Sequence, residues 1–131
     1  MDPLVAAARA AAAKAHAPYS GFAVGCAVES FEGEVVTGAN MENACYRLGI
    51  CAEQAALAAA QAAFGLDKVA RIAVIAPTNV APVTPCGGCR QAIYEAGRDI
   101  IILCTSGDGA TVDTHRIADL LPHAFRLDPP A

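Results

Sequence analysis

Two short motifs carry the chemistry in this sequence: Cys51-Ala52-Glu53 and Pro85-Cys86-Gly87-Gly88-Cys89. Together they offer three thiolates and one carboxylate. Three thiolates leave one position free on a tetrahedral Zn2+, and catalytic zinc needs that vacancy for water. Glu53 stands two residues from the first thiol, where it can reach such a water without binding the metal. It can take a proton there and deliver it to a substrate, as general base and then general acid. A bare Cys-x-x-Cys pair is a weak signal; the compound motif is a strong one.

Competing readings explain less. A structural zinc site takes a fourth protein ligand, yet Cys45, His16, His115 and His123 do not stand at ligand spacing. A thioredoxin-like Cys-x-x-Cys leaves Cys51-Ala52-Glu53 unexplained. Glu53 alone, on a helix, would read as a solvated side chain. The thiols are expected at helix N-termini, where backbone N–H groups and the helix dipole lower a thiol's pKa. Three thiolates on Zn2+ carry a formal charge of −1, which weakens the Lewis acid. Two converging helix starts would offset part of it.

The elements that must position these groups follow from the pattern. Asp2 and Pro3 open a helix that runs to about His16, and Pro18 ends it. Residues 22–31 read as a strand, Glu32-Gly33 as a hairpin turn and 34–38 as the partner strand. Residues 40–49 are a polar, irregular loop of the kind that carries function. Residues 51–64 are helical, stopped by Gly65. A buried strand at 69–76, a loop at 77–85, a helix from Cys86 or Gly87 to Ala96 and a second buried strand at 99–105 follow. The spacing then predicts a turn at 106–109, a short strand near 110–113, a short helix over 114–121 and a tail over 122–131. This order implies an α/β protein: a three-layer α/β/α domain around one mixed sheet of roughly five strands.

Composition bounds the rest. The 131 residues fit one domain, here read as a single catalytic unit over 1–131. The chain is 55% hydrophobic but only 5% aromatic, so small and branched aliphatic side chains build the core and suit buried subunit interfaces. Net charge is −4, and the nine basic residues are scattered from Arg9 to Arg126, which argues against a nucleic-acid partner and for a small neutral substrate. Met1-Asp2-Pro3 lacks the basic start of a signal peptide, and Arg9, Lys14 and His16 break the alanine-rich runs. No membrane association is expected, and the expected location is the cytoplasm. Metal binding is then a better use of the six cysteines than disulfides. Cys26 and Cys104 lie in strand-like runs and read as buried small hydrophobes.

The compound motif matches the signature of zinc deaminases, Cys or His-x-Glu followed by Pro-Cys-x-x-Cys. From about residue 18 to 125 the chain closely resembles the small, homotetrameric cytidine deaminases. The resemblance is carried by Ala17-Pro18-Tyr19-Ser20, Phe22-Ala23-Val24-Gly25, Asn40-Met41-Glu42-Asn43, both zinc motifs with Arg90-Gln91, and Leu120-Leu121-Pro122-His123-Ala124-Phe125. The Asn-x-Glu-Asn segment is the part more specific to nucleoside deaminases.

The resemblance implies one Zn2+ per chain on Cys51, Cys86 and Cys89, with Glu53 as proton shuttle. It implies that Asn40 and Glu42 hold the ribose hydroxyls; an amide can donate and accept, and a carboxylate accepts. Phe22 is implied to stack on the base, Ala52 to contact it through the backbone, and Phe125 to be a ring lent by another subunit. Ala44 and Tyr46 match positions that reach a neighbour's site. The chain departs from the family where an arginine commonly follows Cys-Ala-Glu: it has Gln54, which can donate N–H but brings no charge. The expected activity is hydrolysis of cytidine or 2′-deoxycytidine to uridine or 2′-deoxyuridine, with release of ammonia, in pyrimidine salvage. The rivals are a same-scaffold deaminase of a modified cytosine nucleoside and a zinc-stabilised, non-catalytic interaction module.

Overall fold

The computed structural model describes residues 1–78 and 81–129. Asp2 caps α1 (Pro3–Ala12): its carboxylate accepts from the Leu4 N–H at 2.8 Å, and Pro3 occupies the first turn. Five strands, β1 (Gly25–Ser30), β2 (Val35–Ala39), β3 (Val69–Ile75), β4 (Ile101–Thr105) and β5 (Val112–Arg116), form one sheet in the order β2-β1-β3-β4-β5. The β3–β4 pair is parallel and the other pairs are antiparallel. A parallel pair needs a crossover rather than a tight turn, and α3 (Gly87–Ala96) supplies it.

Strand alternation divides the core into two layers. Cys26, Val28, Ile72, Val74, Ile102 and Cys104 face α2 (Ala52–Ala63), α3 and α4 (Ile117–Leu120), packing with Ala56, Leu57, Ala60, Ile93 and Ile117. Ala27, Ala73, Ile75 and Leu103 face α1, packing with Leu4, Val5 and Ala8. The result is the expected three-layer α/β/α arrangement around a mixed sheet. Cys26 and Cys104 are fully buried, as expected of small hydrophobes. Helix α2 lies directly on β2 because Gly38 has no side chain; a Cβ there would collide with the backbone of Ala52 and Ala56. That close approach seats the start of α2 against the sheet.

Several boundaries differ from expectation. Helix α1 ends at Ala12, short of His16. The chain leaves the helix to pair with residues beyond β2: the His16 N–H donates to Asn40 O, and the Glu42 N–H donates to His16 O. The first strand starts at Gly25 rather than at 22, because the Asn40 side chain, not a strand, holds residues 22–24. The 40–49 loop contains a short 3-10 turn, Tyr46–Leu48. The main correction concerns the helix expected over 114–121. Thr114, His115 and Arg116 belong to β5, and the helix is one turn, Ile117–Leu120. The β-branched Val112 and Thr114 alternate with Asp113 and His115, and β5 pairs along the whole of β4. Of the expected loop and tail, residues 79, 80, 130 and 131 lie outside the described residues.

Candidate active site

Cys51 immediately precedes α2, Cys86 immediately precedes α3, and Cys89 sits in the first turn of α3. Both helices start on the same side of the sheet, and the three sulfurs lie within 4.8 Å of one another. A tetrahedral zinc with bonds of about 2.3 Å holds its sulfurs roughly 3.8 Å apart, a separation within the span of this cluster.

The electrostatics point the same way. The Cys89 and Gly88 N–H groups lower the pKa of Cys86, the effect expected at a helix start. At the other two thiols burial outweighs that effect. Burial raises Cys51, with help from Glu53 and Cys86. Burial raises Cys89 far more, with Glu53 and Cys51 adding to it. Three thiols and a carboxylate in one place resist ionising together. A divalent cation among them removes the conflict, so the donor set fits a bound metal.

Glu53, one helical residue beyond Ala52, is only 6% exposed, and burial raises its pKa. Burial disfavours the charged form of the carboxyl, so its protonated form is easier to reach than that of an exposed glutamate. The Gln54 amide points to the cluster, with Nε2 donating to Cys89 Sγ at 3.7 Å.

Beside the thiols a cavity of about 370 Å³ opens. Phe22, Asn40, Glu42, Cys51, Ala52, Glu53 and Cys86 all line it, so the first turns of two helices and the loop after β2 meet in one place. Asn40 is tied twice to the opposite rim: Val24 N–H donates to Oδ1 at 2.8 Å, and Nδ2 donates to Phe22 O at 2.9 Å. Among the described residues its remaining lone pair and N–H have no partner. Glu42 accepts from Tyr19 N–H at 3.0 Å, from Ser20 N–H at 3.1 Å and from the Ser20 hydroxyl. These bonds, the Ser20 hydroxyl foremost, hold its pKa below the usual carboxylate range.

The other expected residues lie elsewhere. Tyr46 is 83% exposed and meets Tyr19 edge-on at 6.4 Å. It lines a neighbouring cavity of about 350 Å³ that shares Ser20 and Glu42 with the first. Ala44 is exposed on the same loop. Phe125 is 67% exposed, and its carbonyl accepts from Gln91 Nε2 at 2.8 Å. None of these three lines the thiol-containing cavity.

Sequence reasoning gave no role to Ser20, Thr84 or Gln91, and considered Arg90 only as a charge that could offset the thiolates. Ser20 latches Glu42, Thr84 walls the cavity, and Arg90 bonds to Thr84, Pro85 and Leu120. All but Thr84 stand inside the motif segments already quoted, and that proximity was the available signal. Thr84 precedes Pro85 in an irregular stretch that carries no pattern.

Comparison with known proteins agrees with this geometry. Residues 2–105 match the family model described as the cytidine and deoxycytidylate deaminase zinc-binding region. A cytidine deaminase of Mycobacterium tuberculosis is 42% identical over 118 residues, covering 90% of this chain and 84% of the relative. One of Halalkalibacterium halodurans is 42% identical over 117 residues, covering 87% and 85%. The crystal structure of a cytidine deaminase from Burkholderia pseudomallei superposes with a TM-score of 0.88 at 44% identity, covering 93% of this chain and 96% of that one. A thiol cluster at two helix starts, on a sheet shared with these proteins and within a sequence match that spans both motifs, places the chain in the cytidine and deoxycytidylate deaminase zinc-binding family.

Proposed function

We propose that the protein hydrolyses cytidine, 2′-deoxycytidine or both to the corresponding uridine nucleoside, releasing ammonia, as a step of pyrimidine salvage in the cytoplasm. One observation carries this reading: a single cavity is lined both by Cys51, Cys86 and buried Glu53 and by Phe22, Asn40 and Glu42. The first set does hydrolysis; the second set suits a flat base bearing a polyhydroxyl sugar.

Cys51, Cys86 and Cys89 would hold one Zn2+ per chain. When bound, zinc supplies Lewis acidity that brings the pKa of a water toward neutrality. Glu53 moves the proton. Its carboxylate accepts it from the water that attacks C4 of the cytosine ring and returns it to the substrate, so the C4–N bond breaks with ammonia as the leaving group. Burial keeps bulk water from short-circuiting that transfer. Phe22 offers a ring face to the base, and the backbone of Ala52 offers it a polar contact. Asn40 and Glu42 have unused hydrogen-bonding capacity toward the sugar hydroxyls. Gln54 replaces the cation common in the family with a neutral donor to Cys89.

A homotetramer is part of the proposal. Ala44, Tyr46 and Phe125 are displayed outward, away from the cavity of their own chain, together with the exposed Met41, Leu48 and Ile50. That display supports a site completed by neighbouring chains. The test is ultraviolet absorbance of zinc-loaded protein on a panel of cytosine nucleosides. Conversion of cytidine or 2′-deoxycytidine is the expected result. Turnover only of a base-modified member would transfer the reading to that substrate. No turnover of any, with zinc bound, would leave the family's fold serving a non-catalytic module.

A further inference from the structure

Arg90 directly follows the last thiol of the cluster, and its guanidinium is divided between two segments far apart in sequence. Nε donates to Pro85 O at 2.7 Å and Nη2 to Thr84 Oγ1 at 2.8 Å. Nη1 donates to Leu120 O at 2.7 Å. Pro85 is buried and adjoins Cys86, so one side of Arg90 grips the metal-binding loop. Leu120 ends α4, where terminal carbonyls lack helical partners, so the other side caps that helix. Gln91, the next residue, donates to Phe125 O at 2.8 Å. Consecutive residues of α3 thus fasten both ends of the 120–125 segment to the helix whose start carries Cys86 and Cys89.

We infer that Arg90 is a positioning residue that couples the metal-binding loop to the C-terminal segment, so that zinc binding and the order of residues 117–125 stabilise each other. The inference rests on the proposed zinc site. A helix of four residues does not stand alone, since helices under about 12 residues are marginal in water. Buried Ile117 anchors one end of α4, and its N–H donates to Ile100 O at 3.0 Å. At the other end the Leu120 side chain packs against the core, and its carbonyl takes its hydrogen bond from Arg90. A metal that fixes Cys86 fixes the neighbouring Pro85 carbonyl, and with it the guanidinium that holds Leu120. Such coupling is reciprocal: the factor by which zinc favours the ordered segment is the factor by which the ordered segment favours zinc. The planar fork is essential, because a lysine ammonium cannot reach three separate acceptors on different segments.

Amide hydrogen exchange on the wild-type chain, zinc-loaded and after chelation, reads the coupling without any assay of turnover. The Ile117 and Leu121 amides are the reporters, and zinc should slow their exchange by roughly fivefold or more. Arg90→Lys and Arg90→Met should abolish that difference. Both should also lower zinc affinity, measured by chelator competition, by about tenfold or more. Arg90→Lys retaining wild-type zinc affinity would overturn the role of the fork. Zinc-dependent protection confined to residues 84–90, with Ile117 and Leu121 unchanged, would overturn the coupling and leave the metal site standing. No zinc-dependent change anywhere would overturn the metal site and the coupling with it.

Discussion

The amide of Gln54 donates to the sulfur of Cys89 across 3.7 Å, from the first turn of α2 to the first turn of α3. The contact gives the most buried thiol of the cluster a hydrogen bond but no positive charge. Gln54→Arg would put a cation at the same place. A nearby positive charge favours the anionic form of an ionising group, so it lowers that group's pKa. The acid limb of the kcat/KM profile should therefore move to lower pH in Gln54→Arg. An unmoved limb would mean that the backbone N–H groups at the helix starts already balance the thiolates.

Glu53→Gln keeps the shape of the buried side chain and removes its basicity. Turnover should fall by at least about a hundredfold, the usual scale of general acid–base catalysis. Zinc content should stay at one per chain, with three sulfur neighbours and one light atom by X-ray absorption. Near wild-type turnover would show that another group moves the proton. Four sulfur neighbours would turn the site into a structural one.

Glu42 predicts a pH-dependent latch. The carboxylate accepts from Ser20 and Tyr19, so its folded-state pKa lies below its ordinary 4.5. Its contribution to the fold is therefore complete above that value and is lost as pH falls through the lower, folded-state pKa. The Tyr19 and Ser20 amide resonances should titrate together, with a midpoint under 4.5. In Glu42→Gln neither should titrate in that range. A midpoint at or above the ordinary value would break the latch as described.

The thiol cluster was legible because each half of its motif is local: Cys51-Ala52-Glu53 stands where α2 opens, and Cys86-Gly87-Gly88-Cys89 where α3 opens. The sheet was legible because β3 and β4 are short apolar runs with no other home in a chain this size. What sequence pattern missed was held by contacts between distant residues. Asn40 replaces a strand at 22–24 with two side-chain hydrogen bonds, and no periodicity records that. His16 leaves α1 to bond with the backbone at 40 and 42, although its neighbours are good helix formers. At 112–116 the pairing partner decided: Thr114 and His115 sit opposite Leu103 and Ile102, and the ladder overrode a helical reading of polar residues. Arg90 was visible as a motif residue, but its bond to Leu120, 30 residues away, was not.

Phe125 joins assembly to activity. Its backbone is tied to α3 through Gln91, while the residue stays 67% exposed and outside the cavity of its own chain. His123, at a positive φ of 55°, turns the chain just before it. A large ring held outward on a fixed backbone is suited to entering a neighbour's site. If it stacks on the base there, Phe125→Ala should chiefly raise KM, by roughly 1–3 kcal/mol of lost binding, and affect kcat less. The active species should be a tetramer, and dilution to monomers should abolish turnover even with zinc retained. Light scattering at assay concentration, run beside the absorbance assay, decides between the two arrangements. A fully active monomer would remove the shared site and leave Phe125 a surface residue. The thiol cluster and Glu53 belong to one chain, and their chemistry would stand.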